Sequence, residues 1–162
     1  MCLTARLFHL SKRMSTDDDQ RKVLRDLADE LLDKGTSIRI TASGYSMYPA
    51  IRPGNTIIIK PVDEEDLKCG SIIAWKREKD MVVHRLVLVY EADNKKYYIT
   101  RGDSCRSLDK PVTHDMIAGR VEAIYKGHRL LPPSLVHPIP ERRYRANRMK
   151  TIFLGYLRKL SK

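Results

Sequence analysis

The feature that most constrains the fold is a series of short β-type runs that begins at residue 37. The first run, SIRITA, alternates branched and polar residues, and turn residues such as Gly, Asn and Asp separate the runs. The predicted strands are 37–42, 55–61, 70–78, 81–91, 96–101, 116–125 and a short run from His128. Because most connections are short, we expect a mainly β fold with a small antiparallel sheet.

A helix is predicted on each side of this β core. Residues 17–34 have helical apolar spacing, three aspartates at the start and Gly35 at the end. The apolar stripe of this helix comprises Val23, Leu24, Leu27, Ala28, Leu31 and Leu32. A second helix is predicted from Glu141 onward, after a proline-rich connector. Its apolar face comprises Met149, Ile152, Phe153, Tyr156, Leu157 and Leu160.

These patterns divide the chain into three parts. Residues 1–35 are an N-terminal extension and amphipathic helix, although Met14 is also a plausible start of the protein. Residues 36–131 form the β domain. Residues 132–162 form the connector and a basic amphipathic C-terminal helix.

Positive charge is concentrated in the C-terminal part. The chain carries 31 Lys and Arg against 20 Asp and Glu, and segment 141–162 has eight basic residues and one acid. Such a helix is typical of packing on its own domain or on another subunit, or of contact with an anionic membrane surface. Nucleic acid is the least favoured partner, because aromatic residues are sparse and no helix-turn-helix spacing is present.

Cys2, Cys69 and Cys105 indicate the compartment. An odd number of cysteines without CxxC spacing predicts neither a disulfide framework nor a zinc site, which favours a reducing, cytoplasmic location. No run approaches the roughly 20 apolar residues of a membrane-spanning helix. The N-terminal run is interrupted by polar residues and makes a poor signal peptide. We expect no metal and no organic cofactor, because no cluster has ligand spacing.

A candidate nucleophile lies in residues 43–55, SGYSMYPAIRPGN. Ser46 occupies a turn in which Gly44 lets the backbone approach a substrate carbonyl and two prolines stiffen the exit. A serine hydroxyl needs a base and oxyanion donors, one of which could be the Ser46 N–H itself. Taken alone, a serine in such a turn is more often a plain turn residue.

The other candidates are a histidine and two acids. His84 lies within an apolar run, where it could be a general base on a rigid strand or a buried structural histidine. Asp103 follows Gly102 after a predicted strand, and Asp109 comes six residues later. Either carboxylate could orient His84, or the segment could be an ordinary Asx turn.

Four segments in order, GYSMYP, VVHRL, TRGDSCRSLD and IAGRVEAIY, resemble the conserved boxes of the type I signal peptidase and LexA superfamily of serine peptidases. The resemblance spans roughly residues 36–126. His84 followed by Arg85 is similar to the endoplasmic-reticulum and archaeal type, since the bacterial signal peptidases and LexA have a lysine as base. The resemblance implies a peptide-bond hydrolase that cuts after small residues in an extended peptide. The residues it implies are the nucleophile Ser46, the base His84, the acids Asp103 or Asp109, and Gly44 and Met47 around the oxyanion.

The chain departs from this family at several positions. Asn55, Ser71 and Cys105 stand where the family often has Asp, Asp and Asn, and no membrane-spanning segment is predicted. A non-catalytic peptide-binding module of the same fold is therefore one alternative. A LexA-like self-cleaving regulator is a weaker one, because little chain precedes the serine box and the base position is not lysine.

Overall fold

The computed structural model describes residues 23, 26–77, 80–131 and 140–160, with only the backbone described for 155–160. Seven strands form one antiparallel sheet, which confirms the predicted mainly β class. The strands are β1 (Ile38–Thr41), β2 (Thr56–Lys60), β3 (Ile72–Arg77), β4 (Asp80–Ala92), β5 (Lys95–Arg101), β6 (Ile117–Lys126) and β7 (Arg129–Leu131). Their order is β1-β2-β6-β3-β4-β5, with β7 paired to β6. The predicted extension 1–13, the first turns of the N-terminal helix and connector residues 132–139 lie outside the described residues.

The sheet buries apolar residues on both faces. Along the interior strand β3, Ile72 and Ala74 belong to one buried cluster, and Ile73 and Trp75 belong to a second. Successive side chains of a strand point to opposite faces, so a strand buried on both sides is an unbroken apolar run. This is why the sequence of β3 does not alternate.

Helix α1 covers residues 26–33 in the described part of the chain, and Val23 is also helical. Leu32 is buried in the first cluster and Ala28 packs beside it. Gly35, with φ of +79°, follows the helix end, as predicted. The predicted apolar stripe is only partly buried, because one side of it faces solvent. The exposed members are Val23, Leu27 and Leu31.

Two local features hold the sheet in register. Asp93 and Asn94 both have positive φ values, 51° and 56°, and form the two-residue hairpin turn that joins β4 to β5. At Gly119 a Cβ atom would lie 2.4 Å from the carbonyl oxygen of Lys60. The β2–β6 pairing therefore requires glycine at position 119.

Helix α2 runs from Glu141 to Leu160, as the sequence predicted. Its first half packs on the β domain through Tyr144 and Asn147, which are buried. Neither helix, over the residues described, is long and apolar enough to cross a lipid bilayer.

Candidate active site

Ser46 lies in a compact turn between β1 and β2. The N–H of Tyr48 donates to the carbonyl of Tyr45 at 3.0 Å, and the N–H of Ile51 donates to that of Met47 at 2.9 Å. Met47 and Ile51 are buried in the core, so the turn is anchored from below while Ser46 stays half-buried. The turn therefore holds the Ser46 hydroxyl at the surface on a fixed backbone.

A cleft of ≈ 510 Å³ brings Ser46 and His84 to the same surface. One wall is formed by residues 40–44 at the end of β1, and the other by residues 80–84 at the start of β4. The floor consists of the core side chains Met47, Ile51 and Ile57. The cleft thus has an apolar floor, and its lining also includes the Ser46 hydroxyl, the His84 imidazole and the charged residues Arg77 and Asp80.

His84 is held by Asp109. Its Nδ1 lies 2.6 Å from Asp109 Oδ2, and His84 is only 9 % exposed. The same carboxylate oxygen accepts a hydrogen bond from Thr100 Oγ1 at 2.7 Å. Burial raises the pKa of Asp109, but the hydrogen bonds from His84 and Thr100 outweigh it and lower that pKa below its usual range. An ionised Asp109 accepts the Nδ1–H of His84, which leaves Nε2 as a proton acceptor.

Gly102 lies between His84 and the serine turn. A methyl group on Gly102 would lie 2.7 Å from the carbonyl oxygen of Ser46 and 3.0 Å from His84 Nε2. Both atoms therefore contact the same glycine, and no larger residue fits between them. Within the described residues no hydrogen bond joins Ser46 Oγ to His84. Catalytic hydrogen bonds in free enzymes are often long and shorten only when substrate binds.

Asp103 has a different partner. Its Oδ1 accepts from Arg85 Nε at 2.8 Å and its Oδ2 from Arg85 Nη2 at 2.7 Å, and both side chains are fully buried. Arg85 also donates from Nη1 to the carbonyl of Gly70 at 2.7 Å. Of the two acids that the sequence left open, the structure places Asp109 on His84 and Asp103 on Arg85.

Ser104 joins the acid-bearing loop, residues 102–109, to the serine turn. Its N–H donates to the carbonyl of Ser46 at 2.9 Å, and its hydroxyl lies 2.7 Å from the carbonyl of Tyr45 and 3.1 Å from that of Ser46. Neither Ser104 nor Thr100 was among the predicted site residues. Their only sequence signal is proximity to the Gly-Asp pair, because serine and threonine are common in loops and strands.

The remaining predicted residues line the cleft or face it. Gly44 is exposed on the cleft wall, and a Cβ atom there would meet nothing within 4 Å. Gly44 therefore leaves open space above the backbone, and its own backbone conformation does not require glycine. In the described part of the chain, the N–H groups of Ser46 and Met47 have no acceptor, so both are available to an oxyanion.

Cys105 is the second potential nucleophile at this surface. Burial raises the pKa of its thiol, and the negative charge of Asp109 raises it further. The thiol therefore stays protonated near neutral pH, and it is the thiolate that reacts. Ser46 is thus the better candidate nucleophile.

No group of three or more His, Cys, Asp or Glu side chains in the described residues could hold a metal ion. Comparisons of the chain with protein-family models and with curated proteins found no match.

Proposed function

We propose that this chain is a serine endopeptidase with Ser46 as nucleophile, His84 as general base and Asp109 as the residue that orients the base. The observation that carries the proposal is the 2.6 Å Asp109–His84 hydrogen bond beside a cleft that Ser46 also lines. The resemblance of the four sequence boxes to signal peptidases and LexA supports the same assignment.

In this mechanism Ser46 Oγ attacks the peptide carbonyl carbon while His84 Nε2 takes the hydroxyl proton. The resulting imidazolium is stabilised by ionised Asp109, and the oxyanion accepts from the N–H groups of Ser46 and Met47. His84 then returns the proton to the leaving amine as the C–N bond breaks. This leaves the acyl group as an ester on Ser46. A water molecule, deprotonated by His84, attacks the carbonyl carbon of this ester, and His84 returns the proton to Ser46 Oγ as the carboxylate product leaves.

Two free sheet edges support an extended peptide as substrate. In the described sheet β1 pairs only with β2, and residues 80–84 of β4 pair only with β3, because β5 joins β4 from Arg85 onward. These edges form the walls of the cleft. An extended chain between them would gain main-chain hydrogen bonds and place alternate side chains on the apolar floor. We propose small residues before the cut, as the family resemblance implies.

We also place the activity in a reducing, cytoplasmic compartment. Cys69 and Cys105, the cysteines of the described residues, form no disulfide.

A peptide digest tests the proposal. Purified wild type, Ser46→Ala and Ser37→Ala would be incubated with a diverse peptide library and the products read by mass spectrometry. Ser37 serves as the control, because it is an exposed serine just before β1 and lies outside the cleft lining. We expect the wild type and Ser37→Ala to cut after small residues and Ser46→Ala to cut nothing.

Three other outcomes carry their own conclusions. Equal digestion by the wild type and Ser46→Ala would show a contaminating protease and remove the support for Ser46. Peptide binding in the cleft without turnover would identify a non-catalytic module of the same fold. Cleavage of the chain itself within its first forty residues would favour a LexA-like regulator.

A further inference from the structure

Helix α2 uses one face to dock on the β domain. Asn147 Nδ2 donates to the carbonyl of Asp103 at 3.0 Å, and the guanidinium of Arg101 lies 3.7 Å from the ring centroid of Tyr144. Arg101 also forms two hydrogen bonds to Glu141, at 2.7 and 3.1 Å. The contacts that hold the helix are therefore aromatic and polar, and the apolar face plays no part in them.

The apolar face of α2 points the other way. Met149, Ile152 and Phe153 are 65, 55 and 61 % exposed, and we call them the apolar ridge. At 3.6 residues per turn these three residues share one side of the helix, opposite Tyr144 and Asn147. The side chains of Tyr156, Leu157 and Leu160, which the sequence adds to this face, lie outside the described residues. The packing of α2 on its own domain thus leaves the predicted apolar face uncovered over its described part.

Basic side chains flank the apolar ridge. Arg106, Arg145 and Arg148 line a cleft of ≈ 560 Å³ that also includes Met149. We call these three residues the arginine cluster. Glu141 lines the same cleft, but its carboxylate is engaged by Arg101. Across residues 26–77, 80–131 and 140–154, the ion pair of Glu141 is with Arg101, and the nearby charge of Arg145 also helps to lower the pKa of Glu141.

We propose that the apolar ridge and the arginine cluster together form a docking surface for an anionic lipid membrane. A helix lying in the membrane interface places apolar side chains at the acyl boundary and cations among the anionic headgroups, and here the two sets of side chains meet at Met149. A nucleic acid would engage the arginines but leave the apolar ridge in water. A second copy of the chain would bring two arginine clusters together. The inference does not depend on the proposed peptidase activity.

Vesicle flotation with the full chain tests the surface. The vesicles would be phosphatidylcholine alone, or phosphatidylcholine with one third phosphatidylglycerol. The arginine variant is R106Q/R145Q/R148Q, and the ridge variant is M149S/I152S/F153S. Matched controls remove three charges elsewhere, K68Q/K95Q/K126Q, or three exposed apolar side chains elsewhere, L88S/L108S/L130S.

We expect the wild type to float with the anionic vesicles only. The arginine variant should lose about 100-fold in partition coefficient, at about fivefold per basic residue near the surface. The partition coefficient of the ridge variant should fall about tenfold or more, because transfer of the half-exposed apolar side chains of the wild type from water into the membrane is favourable. Both matched controls should stay close to the wild type, and near-ultraviolet circular dichroism should show all variants folded.

Several results would overturn the proposal. These are a wild type that binds neither vesicle, a ridge variant that binds as well as the wild type, or a charge control that falls as far as the arginine variant. Tighter binding to a single-stranded oligonucleotide, lost in the arginine variant alone, would assign the cluster to nucleic acid. A dimer in sedimentation equilibrium that the ridge variant dissociates would assign the apolar ridge to a second copy.

Discussion

Replacing Asp103 and Asp109 separately by asparagine tests whether Asp103 stabilises the fold through Arg85 while Asp109 orients His84. Arg85 and Asp103 are 0 and 1 % exposed, so Asp103→Asn replaces the carboxylate that pairs with the buried Arg85 guanidinium by a neutral amide. Removing one partner of a buried ion pair costs about 3–5 kcal/mol. Arg85 keeps its hydrogen bond to Gly70, so we take the lower end, about 3 kcal/mol. For a chain of this size that is a fall in Tm of roughly 6–12 °C.

Asp109→Asn should behave in the opposite way. Asp109 is 23 % exposed, and asparagine keeps its size and one accepting oxygen, so we expect a loss of stability of only about 1 kcal/mol. An amide cannot stabilise an imidazolium, and its N–H₂ can donate to His84 Nδ1, which puts the ring proton on the wrong nitrogen. In a Ser-His-Asp site this substitution lowers kcat by about 10⁴-fold.

The assay pairs thermal unfolding by circular dichroism with initial rates on the best peptide from the library digest. Asp63→Asn, at an exposed side chain, controls for the loss of one negative charge. For Asp103→Asn we expect a low Tm but more than half of the wild-type initial rate, when the rate is measured well below the Tm of the variant. For Asp109→Asn we expect a near-normal Tm with almost no rate. The reverse pattern, or a Tm of Asp103→Asn equal to that of the control, would refute the reasoning.

Three further predictions use single contacts. Gly102→Ala should slow cleavage by more than about tenfold, since its Cβ would lie 2.7 Å from the carbonyl oxygen of Ser46 and displace the serine turn; the rate relative to wild type at matched fold content checks this. Ser104→Ala removes the hydroxyl bonds to the serine turn and should lower the free energy of unfolding by about 1 kcal/mol, measured by urea denaturation. Burial and the hydrogen bond to Glu64 raise the pKa of Tyr98 to about 12, so its contribution to stability is complete below pH 10 and is lost as the pH rises towards 12. A phenolate absorbance titration should show a late transition. Tyr98→Phe should remove the part that Tyr98 contributes, while Tyr144, whose pKa is also raised by burial, continues to titrate late.

The strands were predictable because their signals are local. Alternation and turn residues act over a few positions. That β3 is buried on both faces, and so does not alternate, became clear only from the structure. The order of the sheet was not predictable, because the placement of β6 between β2 and β3 depends on pairing between distant segments. Gly119, which lets β6 approach β2, carries no signal of its own in the sequence.

The face on which α2 docks was also hidden from the sequence. The spacing of apolar residues correctly predicted a helix with Met149, Ile152 and Phe153 on its apolar face, but left open whether that face meets the β domain, another subunit or a membrane. In the structure Tyr144 and Asn147 make the contacts instead, because their partners are a guanidinium and a backbone carbonyl. The pattern of apolar residues cannot identify these partners, since they lie at the end of β5 and in the loop that follows it, some forty residues away.

The pairing of one acid with His84 and of the other with Arg85 could be partly anticipated from the sequence. His84 and Arg85 are adjacent in a strand, so they point to opposite faces of the sheet. A buried histidine and a buried arginine on opposite faces need separate partners, and a loop with acids at 103 and 109 can supply one to each. What the sequence could not give is which acid lies on which side.

The acid-bearing loop is the point at which the proposed activity and the proposed docking surface meet. The loop contacts the serine turn through Ser104 and helix α2 through the carbonyl of Asp103, and it contributes Arg106 to the arginine cluster. A displacement of α2 on membrane binding would therefore be transmitted to the loop that also carries Asp109. Because Thr100 holds Asp109 from the rigid strand β5, by its hydroxyl and by its backbone carbonyl, the His84 partner stays fixed even if the rest of the loop shifts. Membrane docking should consequently change the position of the substrate-binding cleft relative to its substrate more than it changes the orientation of His84.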